Sequence, residues 1–396
     1  MRPNARPSSL ALIALPKNQA PSRALRLAAL FGCFGLIMGS WASRIPALRD
    51  ALQLSVGELS FVWLCSGLGA ALSSALPACL PLHFRGQMSQ RTKIGIAGLA
   101  LLLLLVVIGF APNLPLLLLA VFLLGASASA FDIGMNAAAV REESLQAQSL
   151  MARLHACACA GGLAGVMAGT GMAWMHFSAI QHFSLLMPPC TLLLWLGVRG
   201  LSADNTNNAP TARKPAFVLP RGDIAMLGLL GLLAAMTESS IANWSGIFMA
   251  DQFGASTSLA PLSLVVFSAM MLLSRCHGDR LKAAMGARRL MCGGALVAGI
   301  GIYLSVFASE ATTALIGFAI AGMGMSLVFP FVFSAAGQQG ATAIVGVATI
   351  TYAGSMIGPP LLGGIAQWLG LQAGLAFSGL LTLMIAGIGM RVHRLR

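Results

Sequence analysis

The sequence IGIAGLALLLLLVVIGFA, residues 94–111, is followed after a three-residue gap by PLLLLAVFLLGASASAFDIGMNAAAV, residues 115–140. Each stretch is long enough to cross the hydrocarbon core of a bilayer, which takes about 20 mostly apolar residues of helix. The gap contains Pro112 and Asn113 and leaves room only for a turn, so the two helices are expected to run antiparallel. This pair predicts a membrane protein built from closely spaced helices.

The composition of the whole chain also indicates a lipid environment. Of its 396 residues, 57% are hydrophobic and 9% are charged, whereas a soluble domain carries about 25% charged residues. A soluble protein with so few charged residues could not cover its surface, so we predict an all-α membrane protein with twelve transmembrane helices. The predicted spans are 25–43, 58–80, 94–111, 115–140, 154–175, 183–199, 223–249, 259–275, 290–308, 312–334, 342–362 and 372–390.

The basic residues predict the orientation of these spans. With both termini on one side, all but Arg44 and Arg49 of the 24 Lys and Arg residues fall on that side. The positive-inside rule assigns this side to the cytoplasm, so an inner-membrane protein with cytoplasmic termini is expected. The net charge of +13 therefore reflects topology. We expect no nucleic-acid partner, because the basic residues lie singly or in pairs between apolar spans and not along one polar face.

Polar segments divide the chain into two parts. Residues 1–24 are predicted to be a cytoplasmic tail, and residues 201–222, with several Asn and Pro, a flexible cytoplasmic linker. These segments delimit two six-helix bundles, 25–200 and 223–396. Spans four and ten contain similar runs of small residues, which begin at Gly125 and Gly322, and spans five and eleven are both rich in glycine. Repeats at matching positions predict that the two bundles are related by pseudo-symmetry.

Several motifs resemble those of a known family. GDRL at 278–281, followed by GARR at 286–289, resembles the Gly-x-x-x-Asp-Arg-x-Gly-Arg-Arg signature of major facilitator transporters. The first-half copy, at residues 83–86, lacks the Asp. This resemblance implies transport by alternating access, with a site near the midplane between the bundles. Four longer strings resemble the YbjJ-like subfamily, which is related to fucose-permease-like transporters: residues 39–50, 132–136, 238–244 and 358–363.

Two acidic residues, Asp132 and Glu238, lie well inside predicted spans. An ionisable group within a membrane is energetically costly and usually faces the interior of the bundle or water. Because a low dielectric favours the neutral form of a carboxyl group, both are candidates for carrying a coupled proton. The alternative is that they only form hydrogen bonds to neighbouring helices. His155, near the cytoplasmic end of span five, is a third candidate, as a relay to Asp132 or simply as an interfacial histidine.

Amide and aromatic side chains near these acids are candidates for binding a solute. Asn136 follows Asp132 by one helical turn and shares its face, whereas Asn243 follows Glu238 by five residues. Either amide could bind a polar solute or join helices. Trp41 and Trp244 could stack on a substrate ring or anchor the protein at the interface, and Trp244 is the better substrate candidate.

Two more substrate candidates come from the predicted path. Arg44, at the outer end of span one, could attract an anionic solute or pair with Asp50. The family resemblance implies that spans one, four, seven and ten line the path, which adds Phe329 of span ten.

A third group of candidates is conformational. The resemblance implies that Asp279 and Arg280 form a loop charge pair that stabilises one state of the transport cycle; the alternative is a simple topogenic loop. Gly358, Pro359 and Pro360 in span eleven would free backbone carbonyls and allow another helix to approach closely.

The function predicted from these features is secondary active transport of a small polar or amphipathic solute by alternating access. Proton coupling without a cofactor is expected, with export slightly favoured over proton-symport import of a sugar-like solute. A non-transporting membrane sensor is an alternative of another class. An enzyme is not expected, since the sequence has neither a clustered catalytic set nor a metal-binding His spacing. The expected partners are a solute and the bilayer, and the chain is expected to be a monomer. Its eight cysteines are expected to act as small hydrophobic residues.

Overall fold

The computed structural model describes residues 23–79, 89–146, 150–199, 201 and 221–392. Most of the predicted tail (1–24), most of the predicted linker (201–222) and the motif copy at 83–86 lie outside these residues. The described part forms fourteen helices. In chain order they are α1 (Arg23–Ser43), α2 (Ile45–Leu52), α3 (Val56–Cys79), α4 (Gln90–Phe110), α5 (Leu114–Gln146), α6 (Met151–Trp174), α7 (Ala179–Arg199), α8 (Asp223–Phe253), α9 (Leu262–Met285), α10 (Ala287–Val306), α11 (Ala311–Met325), α12 (Val328–Gly337), α13 (Ala341–Leu369) and α14 (Leu371–Arg391).

These helices make twelve passes in the described part of the chain, as the sequence predicts. Ten segments are long and apolar enough to cross a membrane, and one of them, Ala311–Gly337, comprises both α11 and α12. The shorter apolar part of α9 and the 29-residue α13 supply the other two. With 8 residues, α2 is too short to cross. Each of the twelve predicted spans overlaps one pass, and α5, α8 and α9 extend beyond the predicted ends.

Helix packing separates the passes into two groups. Helices α1 and α3–α7 pack mainly against one another, and α8–α14 do the same. Contacts between the groups join α3 to α13, α6 to α9, and α2 to α8. The two bundles therefore face each other along an interface that crosses the membrane.

The glycine repeats make equivalent contacts in the two bundles. A Cβ atom on Gly125 of α5 would overlap the backbone of Ser66 in α3, and one on Gly322 of α11 would overlap the backbone of Phe267 in α9. The fourth pass thus approaches the second closely in the first bundle, and the tenth approaches the eighth in the second bundle. Backbone contact of this kind requires a residue without a side chain.

The tenth pass is broken between α11 and α12. Ser326 and Leu327 separate the two helices, and Pro330 follows in the first turn of α12. Proline has no backbone N–H, and its ring clashes with the carbonyl four residues earlier, which here belongs to Ser326. The carbonyl of Ser326 is therefore free to accept a hydrogen bond from another helix.

Substitution of Gly322 tests the close approach of α11 to α9. Gly322→Leu is expected to lower the free energy of unfolding by about 1–3 kcal/mol or more, the usual cost of overpacking, because the side chain would meet the backbone of Phe267. Gly387→Leu on α14 is the control, since a Cβ there meets open space. Thermal unfolding in detergent measures both; equal melting temperatures for the two variants would contradict the packing.

Candidate functional site

Ionisable side chains from both bundles meet at their interface. Asp132 of α5 and His155 of α6 belong to the first bundle, and Glu238 of α8, Arg275 of α9 and Tyr352 of α13 to the second. We call these five residues the central cluster. Hydrogen bonds and electrostatic interactions connect them. Charged groups within the membrane are thus concentrated where two bundles would move relative to each other.

Asp132 is hydrogen-bonded within its own helix and across the interface. Asn136, one turn along α5, donates from Nδ2 to Oδ1 of Asp132 at 3.0 Å. Tyr352 of the second bundle donates its hydroxyl to Oδ2 at 3.2 Å. The Tyr352 side chain is 55% exposed, so this bridge between the bundles borders open space. Any separation of α5 from α13 must break it.

Arg275 joins both bundles to the break in the tenth pass. Its Nε donates to the free carbonyl of Ser326 at 3.0 Å, and its Nη1 lies 3.0 Å from Sγ of Cys159 in α6. The side chain is half-buried. The carbonyl released by Pro330 therefore positions a cation at the interface.

Glu238 lies halfway along α8 and is the least satisfied member of the cluster. Its Oε2 atom is buried and has no hydrogen-bond partner among the described residues. Arg275 interacts with it electrostatically. A buried carboxylate oxygen without a partner is energetically unfavourable. A proton, or a donor group of a bound molecule, would relieve that cost.

His155 lies one turn from the start of α6. Its exposed ring contacts Phe31 edge-on, with centroids 5.3 Å apart. It interacts electrostatically with both Asp132 and Arg275. A relay from His155 to Asp132 stays a prediction, and His155 lies within electrostatic range of both Asp132 and Arg275.

The candidate aromatic and amide residues occupy different surroundings. Trp41 is nearly buried and contacts Trp63 edge-on at 6.0 Å between centroids. Asn243 donates to the carbonyl of Ser239 on its own helix at 2.7 Å. Phe329, beside the helix break, is partly buried. Of these, Phe329 follows Ser326, whose carbonyl accepts the bond from Arg275, by three residues in the sequence.

Trp244 is inaccessible to a solute in this conformation. It was expected to contact the solute, but it is fully buried, and its Nε1 donates to the carbonyl of Pro359 at 2.9 Å. The α8 and α13 backbones approach closely because Gly358 faces Met236, and the indole lies in the resulting contact. In this conformation Trp244 packs two helices of the second bundle together.

Arg44 also differs from expectation. Its side chain is 1% exposed and donates from Nη2 to the carbonyl of Phe177 in the α6–α7 connection. Asp50, the ion-pair partner in one of the two alternatives for Arg44, is exposed on α2. Arg44 therefore joins two connections of the first bundle and is not accessible to a solute in this conformation.

The motif at 278–281 is helical and not a loop. α9 continues to Met285, so Asp279 and Arg280 lie in its final turns, and Arg280 is exposed. Gly278 packs against Leu327 beside the break. Pro359 and Pro360 lie inside α13, and the carbonyl of Pro359 accepts the hydrogen bond from Trp244.

Two members of the cluster were not identified from the sequence. Arg275 follows an apolar run directly and was counted as a loop cation by the positive-inside rule. Tyr352, one of the two tyrosines in the chain, lies in the middle of a predicted span. For Tyr352 the available signal is a polar residue well inside an apolar segment, the same signal that identifies Asp132, whereas Arg275 stands at the end of its predicted span.

The bundles are in contact at one end of the molecule. We call the end at which α1, α4, α6, α8, α10 and α13 finish, and which carries α2, the α2 end. There Arg49 forms an ion pair with Asp251. Nearby, Gly246 of α8 packs on Pro46 of α2. These contacts join the two bundles at the α2 end, and the central cluster extends from the middle of the molecule towards the opposite end.

The chain is similar in sequence to known membrane proteins. Residues 27–346 match the Major Facilitator Superfamily. An uncharacterized MFS-type transporter of Yersinia pestis is 30% identical over 368 residues, which cover 91% of this chain and 93% of that protein. Membrane protein MosC of Rhizobium meliloti is 31% identical over 347 residues, or 87% of this chain and 83% of MosC.

Solved structures share the fold. The nucleoside transporter NupG has a TM-score of 0.71 at 13% identity, with 93% of this chain and 98% of NupG covered. A D-xylose-proton symporter has a TM-score of 0.72 at 14% identity, with 93% and 97% covered. At these identities the likeness concerns the fold alone.

Reversing the charge of Asp251 tests the contact at the α2 end. Asp251→Arg is expected to shift the population towards separated bundles by up to about fivefold, since a partly exposed ion pair contributes about 0.2–1 kcal/mol. Spin labels on Gln53→Cys and Gln252→Cys report the distance between α2 and α8, with unsubstituted protein labelled in parallel. Asp50→Arg makes the same charge change without touching the pair, so an equal shift in that control would contradict the assignment.

Proposed function

The chain belongs to the Major Facilitator Superfamily, and we propose that it is a proton-coupled secondary transporter of a small polar or amphipathic solute. Membership of this family makes it a multi-pass membrane transporter and not an enzyme. The proposal concerns the coupling to protons, the class of solute and the orientation of the chain in the membrane.

The observation that carries the proposal is the unpartnered carboxylate oxygen of Glu238. It lies halfway along α8, at the depth expected for a site in alternating access. Protonation neutralises the buried carboxylate and so removes the free-energy cost of burying its charge. A solute that donates a hydrogen bond to the same oxygen would also lower that cost. Proton and solute can therefore stabilise the same side chain, which is the thermodynamic requirement for coupling their movements.

The remainder of the cluster supports a connection between protonation and bundle movement. Tyr352 bridges to Asp132 across the interface, and Arg275 bridges from α9 to Cys159 of α6. A change of charge at Glu238 alters its attraction to Arg275. It therefore also affects the contact of Arg275 with Cys159 of the first bundle. A ligand shifts a conformational equilibrium only through such differences between states.

The polar groups available to a solute favour a molecule with hydrogen-bonding groups. The exposed Tyr352 hydroxyl, the Asp132–Asn136 pair and Glu238 supply these contacts, and the partly buried Phe329 supplies an apolar surface. Such a lining suits a small polar or amphipathic molecule. The resemblance of four sequence strings to the YbjJ-like and fucose-permease-like group supports this class.

The basic residues support a cytoplasmic location of both termini in an inner membrane. In this orientation the α2 end, where Arg49 pairs with Asp251 and Gly246 packs on Pro46, faces the periplasm. Of the basic residues at the α2 end, Arg44 is bonded to Phe177 and Arg49 to Asp251.

Neutralising Glu238 tests proton coupling. In proteoliposomes with an imposed pH gradient and a panel of radiolabelled polar solutes, Glu238→Gln is expected to abolish gradient-driven flux while solute exchange without a gradient persists. The uncharged amide can no longer exchange a proton but retains a similar shape. The matched control is Glu310→Gln, an exposed acid before α11, which should leave gradient-driven flux unchanged. Gradient-driven flux at the unsubstituted rate in Glu238→Gln would contradict the proposal.

Reporter fusions test the orientation independently. Alkaline phosphatase is active only outside the cytoplasm, so a fusion after Asn113, between α4 and α5, should be active and one after Gly222 inactive. A fluorescent protein after the last residue should mature in the cytoplasm. The opposite pattern would contradict the proposed orientation of the termini, and it would leave the result of the Glu238→Gln flux experiment valid.

A further inference from the structure

A basic cavity lies on the outer surface of the first bundle, away from the interface with the second. It is formed at the end opposite α2, where α1 and α4 begin and α7 ends, and its volume is about 860 Å³. Arg26, Arg91 and Arg199 line it, together with Trp195 and apolar residues of α1 and α7. No acidic side chain of the described residues lines this cavity.

Contacts within the bundle hold Arg26 and Arg199 at this cavity, and Arg91 lines it from the start of α4. The Arg26 guanidinium donates to the backbone carbonyl of Arg199 at 3.4 Å, which ties α1 to the end of α7. The Arg199 guanidinium lies over the Trp195 ring, 3.6 Å from its centroid. Arg26 and Arg91 are half-buried. Grouped cations of this kind repel one another, so an anion bound among them would be stabilised.

A second, apolar cavity continues from the basic one. It has a volume of about 510 Å³ and is lined by Pro188, Leu192 and Trp195 among others. Trp195 lines both cavities, and the apolar one lies one to two helical turns deeper along α7. Leu192 and Leu196 are 55% and 43% exposed on this surface, as expected of side chains that face lipid.

A cationic cavity that opens into an apolar groove matches the shape of a phospholipid. Basic cavities between membrane helices on the cytoplasmic side bind anionic headgroups, and tryptophan is favoured at the level of the headgroups. A soluble anion would not need the groove along α7. We propose that this surface binds an anionic glycerophospholipid, with its phosphate among the three arginines and one acyl chain along Leu192 and Pro188.

The proposal is independent of proton coupling, because the site lies on α1, α4 and α7 and shares no residue with the central cluster. Binding there would join the ends of three helices of the first bundle. A bound lipid would stabilise this bundle as a unit.

Native mass spectrometry of the full chain, titrated with phosphatidylglycerol, tests the site. The triple variant Arg26→Gln, Arg91→Gln, Arg199→Gln is expected to bind phosphatidylglycerol about fivefold more weakly for each arginine replaced, since a basic residue near an anionic lipid surface contributes about 1 kcal/mol. The control triple variant replaces Arg288, Arg289 and Arg391 by Gln. It makes the same charge change at the same end of the second bundle and should bind as the unsubstituted protein does.

Two further probes distinguish the sources of the anion. Phosphatidylcholine should bind more weakly than phosphatidylglycerol to the unsubstituted protein, and glycerol 3-phosphate should not displace the lipid. Equal weakening in both triple variants would show a general effect of surface charge and overturn the site. Complete displacement by glycerol 3-phosphate would show a site for a free phosphate and overturn the lipid assignment.

Melting temperatures in lipid-free detergent show whether the variants are folded. If the triple variant does not fold, phosphatidylglycerol binding is measured with Arg199→Gln alone, for which a loss of affinity of about fivefold is expected. Arg199 is exposed, so its replacement is expected to leave the packing of the bundle unchanged. Undiminished binding by a folded variant would overturn the proposal.

Discussion

The low dielectric of the bilayer makes each charge within the two bundles costly unless it is paired, bonded or neutralised. The positions of the charged groups in this chain follow from that constraint. Arg275 is held by the carbonyl of Ser326 and lies against Cys159, and Asp132 accepts bonds from Asn136 and Tyr352. The partners of both side chains include residues of the opposite bundle. The same bonds that make the charges tolerable therefore hold the bundles together.

A helix break connects this electrostatic arrangement to the backbone. Pro330 leaves the carbonyl of Ser326 without its helical donor, and Arg275 occupies the vacant position. A continuous tenth helix would offer Arg275 no such acceptor, and the arginine would be left with the Cys159 thiol and its electrostatic interaction with Glu238. Pro330, which has no backbone N–H group, thus determines where the charge of Arg275 is held. Glu238 is the exception in the cluster, because its Oε2 atom has no donor, and this exception leads to the proposed exchange of protons.

The sequence predicted the helices well because length and apolar composition are local properties. Each of the twelve predicted spans overlaps a pass, and Gly125 and Gly322 make the equivalent contacts that their matching positions suggest. Asp132 and Glu238 were identified because a carboxylate in an apolar segment is a conspicuous signal. The partners of these residues were not identified, since Tyr352 approaches Asp132 from a helix 220 residues away along the chain. Trp244 shows the same limit: its ring faces α13 and not an open path, and only the packing of two helices determines that.

Infrared difference spectroscopy between acidic and alkaline buffers tests most directly whether Glu238 exchanges a proton in the membrane-embedded protein. A protonated carboxyl group absorbs in a region separate from that of the carboxylate, and the band can be assigned by substitution. The account predicts a carboxyl band that disappears on alkalinisation and is missing from the Glu238→Gln spectrum. Identical difference spectra for the two proteins would mean that Glu238 keeps one protonation state, and coupling through this residue would be contradicted.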